Sequence, residues 1–142
     1  METRQTAKAL IYCPGQTFLF VAGKRGIWNL PGGGIDPGET ALRALLREAD
    51  EEVQGLSACI TPPIETFSVQ GPTTHADGTT KTAHWRVFQA NLLVPAHTLV
   101  IAAGSEITGI TTLTPQECLA HTNMSALAQM AVRTMLQPAQ GR

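Results

Sequence analysis

The sequence predicts a single mixed α/β domain, with a largely antiparallel sheet and helices on the sheet faces. Three observations point there. Short apolar runs alternate with Pro-Gly and Asp-Gly turns, one long amphipathic helix lies mid-chain, and a capped helix start stands near the C-terminal end. The 142 residues suit one buried core, so the domain is expected to span 1–142. At 43 % apolar and 15 % charged residues the chain reads as globular.

Residues 7–12 are apolar, Pro14-Gly15 turns the chain and residues 17–22 return, which predicts a hairpin. Residues 27–30 are short and run into Pro31-Gly32-Gly33-Gly34, where no regular element is expected to continue. After Pro37-Gly38 comes a helix over 40–53. Leu42, Leu45, Leu46, Ala49 and Val53 form its apolar stripe, and Gly55 is the predicted stop. Residues 64–69 and 81–94 predict a second hairpin across a polar loop with His75 and the turn Asp77-Gly78, closed by Pro95. Residues 107–113 read as a further strand. Thr114, Pro115 and Glu117 then supply N-cap, first-turn proline and capping box for a helix. The last helix, 125–136, is expected to bury Leu127, Met130, Ala131 and Leu136, with a frayed tail from Gln137.

Charge narrows the function. Ten basic and eleven acidic side chains leave a net charge of −1, and no Lys/Arg run stands out. The long-range field that gathers nucleic acid polymers is missing, so an anionic ligand must be met by local groups or by a metal ion. Cys13, Cys59 and Cys118 lack any CxxC or Cys/His ligand spacing and read as reduced thiols. No signal peptide is read at the polar start, and no apolar stretch approaches the ~20 residues of a membrane span. A cytoplasmic protein without membrane contact is the expectation. Nothing in the pattern sets an oligomeric state.

The chemistry concentrates in the glycine loop and the helix after it. At about 100° per residue, Glu48, Glu51 and Glu52 fall within an arc of roughly 100°. With Leu42 as zero, that arc is expected to lie mostly away from the apolar stripe, Glu52 being nearest the core. Like charges four residues apart cost a few tenths of a kcal/mol each, more when desolvated. Arg47 can pair with Glu51 or Glu39 but cannot neutralise the whole set. A divalent cation can: Mg²⁺ takes carboxylate oxygens and bridges to phosphate. A face of glutamates is more often plain solvated surface, and a glycine run a plain turn. The adjacency of the two is what shifts the balance.

This loop and helix resemble the Nudix box, G-x5-E-x7-R-E-U-x-E-E-x-G-U, with U a bulky apolar residue. Gly33, Glu39, Arg47, Glu48, Glu51 and Glu52 meet its spacing at every charged position. Ala49 is smaller than usual, and Gln54 delays the closing glycine to Gly55. Trp28-Asn29-Leu30-Pro31-Gly32-Gly33 looks like the strand that enters the box. Glu106, Ile107 and Ile110, then Thr114 to Glu117, look like the family's late strand and short helix, with Thr112 where Trp is common. The resemblance implies a Nudix hydrolase, an α/β/α sandwich with a mixed sheet. It implies Mg²⁺, with Mn²⁺ as the alternative, on Glu48, Glu51 and Glu52, and the Gly32 carbonyl as a backbone ligand. Glu39 and Arg47 would orient the loop, and Glu106 is the extra carboxylate, as ligand or base.

The expected reaction is hydrolysis of a diphosphate linkage in a small nucleotide, a nucleoside triphosphate before ADP-ribose or a dinucleoside polyphosphate. A nucleotide-binding module without catalysis is the competing class. Glu48, Glu52 and Glu106 share the candidacy for general base. Lys24 or Arg25 would hold the phosphate tail, against the alternative of an exposed turn charge. Asn123 would read a base edge, against the alternative of a helix-start residue. Trp28, Phe67 and Trp85 would stack on a base or pack in the core. His75, His84, His97 and His121 show no paired spacing and are read as non-ligands.

Overall fold

The structure is a computed structural model that describes residues 3–74 and 77–137; His75 and the tail beyond 137 lie outside the described residues. Strands β1 (Thr3–Cys13), β2 (Thr17–Ala22), β3 (Trp28–Asn29) and β4 (Gly32–Gly34) precede helix α1 (Ala41–Glu52). Strands β5 (Ile64–Thr74), β6 (Thr80–Asn91) and β7 (Gly109–Leu113) follow, then helices α2 (Pro115–Ala120) and α3 (Ala126–Leu136). β1 is the axis of one mixed sheet. One of its edges runs parallel to β6, from Thr3 opposite Thr82 to Tyr12 opposite Asn91. The other edge is shared. Antiparallel β2 takes Tyr12 and Cys13, while β4 takes Thr6, Ala7 and Lys8, so β2 and β4 diverge and leave an opening beside Lys8. The two expected hairpins, β1–β2 and β5–β6, are present.

β-strand alternation sorts the core into two layers. Ala7, Ala9, Ile11 and Cys13 of β1 pack with Ala44, Leu45 and Ala49 of α1 on one face. Leu10 packs with Phe18, Phe20, Trp85 and Val87 against Leu127, Ala128, Ala131 and Val132 of α3 on the other. Each large side chain so buried contributes about 1.5–3 kcal/mol. The result is the expected helix–sheet–helix sandwich. Thr114 caps α2 with its capping box complete, as the sequence predicts.

Several expectations need correction. The glycine run is not irregular: Gly32, Gly33 and Gly34 form β4 against β1. Gly32 lies so close to Ala7 and Lys8 that a Cβ there would run into the Ala7 carbonyl, so the lack of side chains lets a third strand reach β1. α1 ends at Glu52, since Val53 is extended and bridges Ile101, and Gly55 instead opens a 3-10 turn with φ 67°. Leu42 is 39 % exposed, while Ala41, Ala44, Leu45 and Ala49 are buried. The inward face is therefore turned towards Glu48 and Glu52, which continue it instead of lying opposite. α3 buries Leu127, Ala128, Ala131 and Val132, and leaves Met130 and Leu136 exposed. β6 ends at Asn91, short of Pro95, because Leu92 pairs across with Ile60. β7 begins only at Gly109, so Ile107 precedes it.

Candidate active site

The loop between β4 and α1 is built around glycine and one arginine. A Cβ on Gly33 would collide with the carboxyl of Glu48, so the bare backbone lets that side chain lie flat on the strand. The Gly32 N–H donates to Glu52 Oε1 at 3.0 Å. Arg47 stands between loop and helix. Its Nε donates to Glu39 Oε2 at 2.7 Å, and its Nη2 to Glu39 Oε1 at 2.9 Å and to the Gly34 carbonyl at 3.2 Å. Its Nη1 is shared by Glu48 at 3.1 Å and Glu51 at 3.3 Å. The forked bond from Arg47, with the Asp36 N–H, holds the Glu39 carboxyl down at about 2.

Glu52 is in a different position. Burial raises its carboxyl from the usual range to about 7, against the pull of the Lys8 ammonium and the Gly32 N–H and with the push of Glu48 and Glu51. Lys8, the buried lysine of β1, donates from Nζ to the Leu30 carbonyl at 3.0 Å and the Gly32 carbonyl at 3.3 Å. Its Nζ lies 5.2 Å from the Trp85 ring centroid. Burial lowers its pKa, while Glu52 and Glu48 act to raise it. Sequence reasoning passed over Lys8, although a lysine inside the apolar run Ala7-Lys8-Ala9-Leu10-Ile11 is the signal that marks it.

A cavity of about 1090 Å³ opens where β2 and β4 part. Glu48, Glu51, Glu52 and Glu106 line it, with Lys24 and Arg25 from the turn after β2 and with Lys8, Asn29, Trp85 and Ser125. The structure thus brings together the three helix glutamates, Glu106 and both turn cations. Lys24 and Arg25 are exposed, and neither has an ion-pair partner among the described residues. Asn123 is not among the lining residues; its carbonyl accepts the Trp28 N–H, two residues before the α3 N-cap Ser125. Trp85 is buried in the core, and half-buried Trp28 packs over Gly109.

Whether these residues suit a cation can be judged from the donors. Among the described residues no cluster of three or more His, Cys, Asp or Glu is already gathered tightly enough to chelate one. Arg47 occupies Glu48 and Glu51, and Lys8 occupies the Gly32 carbonyl. Yet three carboxylates share one wall, and burial, with the push of the other two, raises the innermost to about 7 despite Lys8. That donor set is all oxygen and hard, which fits Mg²⁺ or Mn²⁺ once Glu48 and Glu51 turn from Arg47.

Comparison with known proteins agrees with this architecture. A family model described as NUDIX domain matches residues 2–132. No curated protein matches the chain. Among solved structures, a MutT protein from Methanosarcina mazei Go1 aligns with TM-score 0.69 at 17 % identity, covering 93 % of this chain and 91 % of its own. The dihydroneopterin triphosphate pyrophosphohydrolase of E. coli gives 0.73 at 21 %, covering 93 % and 94 %. An Ap4A hydrolase of C. elegans gives 0.68 at 20 %, covering 93 % and 94 %. At such identities the likeness is one of fold.

Proposed function

The chain belongs to the Nudix family of hydrolases, and from that membership we propose that it cleaves a diphosphate linkage in a nucleoside triphosphate, with Mg²⁺ held by Glu48, Glu51 and Glu52. The observation that carries the reading is one cavity holding an acidic wall, two turn cations without an ion-pair partner among the described residues, and the buried Lys8. A bound divalent ion would lower the pKa of its water and draw charge off phosphate oxygens. Lys24 and Arg25, on the cavity wall, would hold the outer phosphates, the Arg25 fork matching two oxygens at once. Gly33 and Arg47 keep the glutamates in register with the loop.

The proton of the attacking water is best taken by a carboxylate not already committed to the cation or to another partner. Glu48 and Glu51 are tied to Arg47, and Glu52 to the Gly32 N–H. Glu106, exposed on the cavity wall, has no hydrogen-bond partner among the described residues, which favours it as base. The test is a panel of nucleoside triphosphates, ADP-ribose and dinucleoside polyphosphates with Mg²⁺, each product identified. Turnover abolished by EDTA supports the reading. Binding without turnover makes the chain a nucleotide-binding module, and neither binding nor turnover ends the nucleotide reading.

A further inference from the structure

The two cations beside the acidic wall differ in how firmly they are fixed. Arg47 is anchored by Glu39 and the Gly34 carbonyl, and only its Nη1 reaches Glu48 and Glu51. A divalent ion can take those two carboxylates from Nη1 while the anchor stays in place. Lys8 has no such freedom. Its side chain is 8 % exposed, and β1 sets it directly opposite Gly32. Its Nζ donates to the Leu30 carbonyl at 3.0 Å and to the Gly32 carbonyl at 3.3 Å, and the Trp85 ring lies 5.2 Å away. Gly32 joins both charges of the inner corner, because its N–H donates to Glu52 Oε1 while its carbonyl accepts from Lys8. A withdrawn ammonium would lose two carbonyls and an aromatic face, with no water to replace them at that depth.

We infer that Lys8 is a resident cation that fills the inner corner of the acidic site, holding the Gly32 carbonyl in place of a divalent ion, so that metal loads only on the outer side at Glu48 and Glu51. This rests on the metal-dependent reading above and adds to it where the metal can sit and how many ions enter. A Mg²⁺ ligand lies at about 2.1 Å, and the Lys8 nitrogen is 3.3 Å from the same Gly32 oxygen. An ion on that carbonyl would therefore stand within about 5.4 Å of an ammonium that cannot retreat. At that separation, in a partly desolvated corner, repulsion between a divalent and a monovalent cation outweighs the gain from one neutral carbonyl. The Gly32 carbonyl is then a ligand of Lys8, and the metal-free protein takes one ion.

The experiment titrates Mn²⁺ into the parent, Lys8→Met and Lys8→Gln without nucleotide, counting bound ions by calorimetry and free Mn²⁺ by electron paramagnetic resonance. Circular dichroism checks that each variant folds. Met keeps the bulk of the side chain without its charge, and Gln also keeps an N–H donor. The parent should take up one ion. Either variant should take up a second, or bind the first at least about tenfold more tightly. A lysine that only props the loop predicts the opposite, since its loss would loosen Gly32 and weaken uptake. Weaker or unchanged uptake in a folded variant, uptake by none of the three proteins, or two ions in the parent overturns the inference. Nucleotide turnover by the parent with Mg²⁺ decides the hydrolase separately. If the variants gain metal while the parent turns over no nucleotide, the hydrolase reading fails and the resident cation stands.

Discussion

Replacing Glu52 by Gln isolates the electrostatics of the site from any catalysis. The folded protein holds this carboxyl near 7 because burial opposes its charge, whereas an unfolded chain would hold it near 4.5. A raised folded value means that the native state binds the proton more tightly. The associated stability is fully present below about 4.5 and is lost as pH rises through about 7. Each tenfold change in proton affinity is worth about 1.4 kcal/mol, so the ionised carboxylate costs the metal-free protein about 3 kcal/mol at pH 8. The pull of Lys8 is already inside that figure. Gln keeps a carbonyl for the Gly32 N–H and carries no charge, so Glu52→Gln in EDTA should gain about 3 kcal/mol at pH 8, about 2 at pH 6 and almost nothing at pH 4. For a chain of this size that is roughly 10 °C in Tm at pH 8. Urea unfolding followed by circular dichroism at the three pH values reads it directly. No gain at pH 8, or a gain of the same size at pH 4, would refute the buried-charge argument.

The same variant should lose kcat with Mg²⁺ by about a hundredfold or more if Glu52 is a ligand, and calorimetry should show weakened Mg²⁺ uptake. Gly33→Ala should push Glu48 out of place, lowering kcat by about tenfold or more while the far-UV spectrum is kept; an unchanged kcat would show that the close approach does not matter. Because Arg47 holds Glu39 down at about 2, that pair adds stability above the ordinary carboxylate range and loses it as pH falls towards 2. Arg47→Ala should therefore be less stable than the parent at pH 7 and converge with it in acid, as thermal melts across pH will show. Asn123→Ala should change kcat/KM by less than about threefold, since Asn123 does not line the cavity; a larger loss would restore it as a base reader.

The family was legible before any coordinates because a helix and a glycine turn write their requirements locally. Gly33, Glu39, Arg47, Glu48, Glu51 and Glu52 stand at fixed separations along a short stretch, and a capped helix converts separation into direction. The capping box at Thr114 was readable for the same reason. The inward face of α1 was not. Ala41 and Ala44 compete with Leu42 and Leu46 for the core beside Leu45 and Ala49, and only the close packing of α1 on β1 and β4 decides for the alanines.

The sequence by itself therefore determined the family and the spacing of its carboxylates, which rest on contacts within a helix turn, and through the family resemblance it led to the expected mixed sandwich. Tertiary structure alone decided that a glycine run becomes a strand, that Glu48 and Glu52 continue the buried face, and that Lys8 lines one cavity with the acidic wall. Those facts depend on β1 pairing with strands from two distant parts of the chain. A pairing partner so far away in sequence leaves no periodic trace in the residues it will meet.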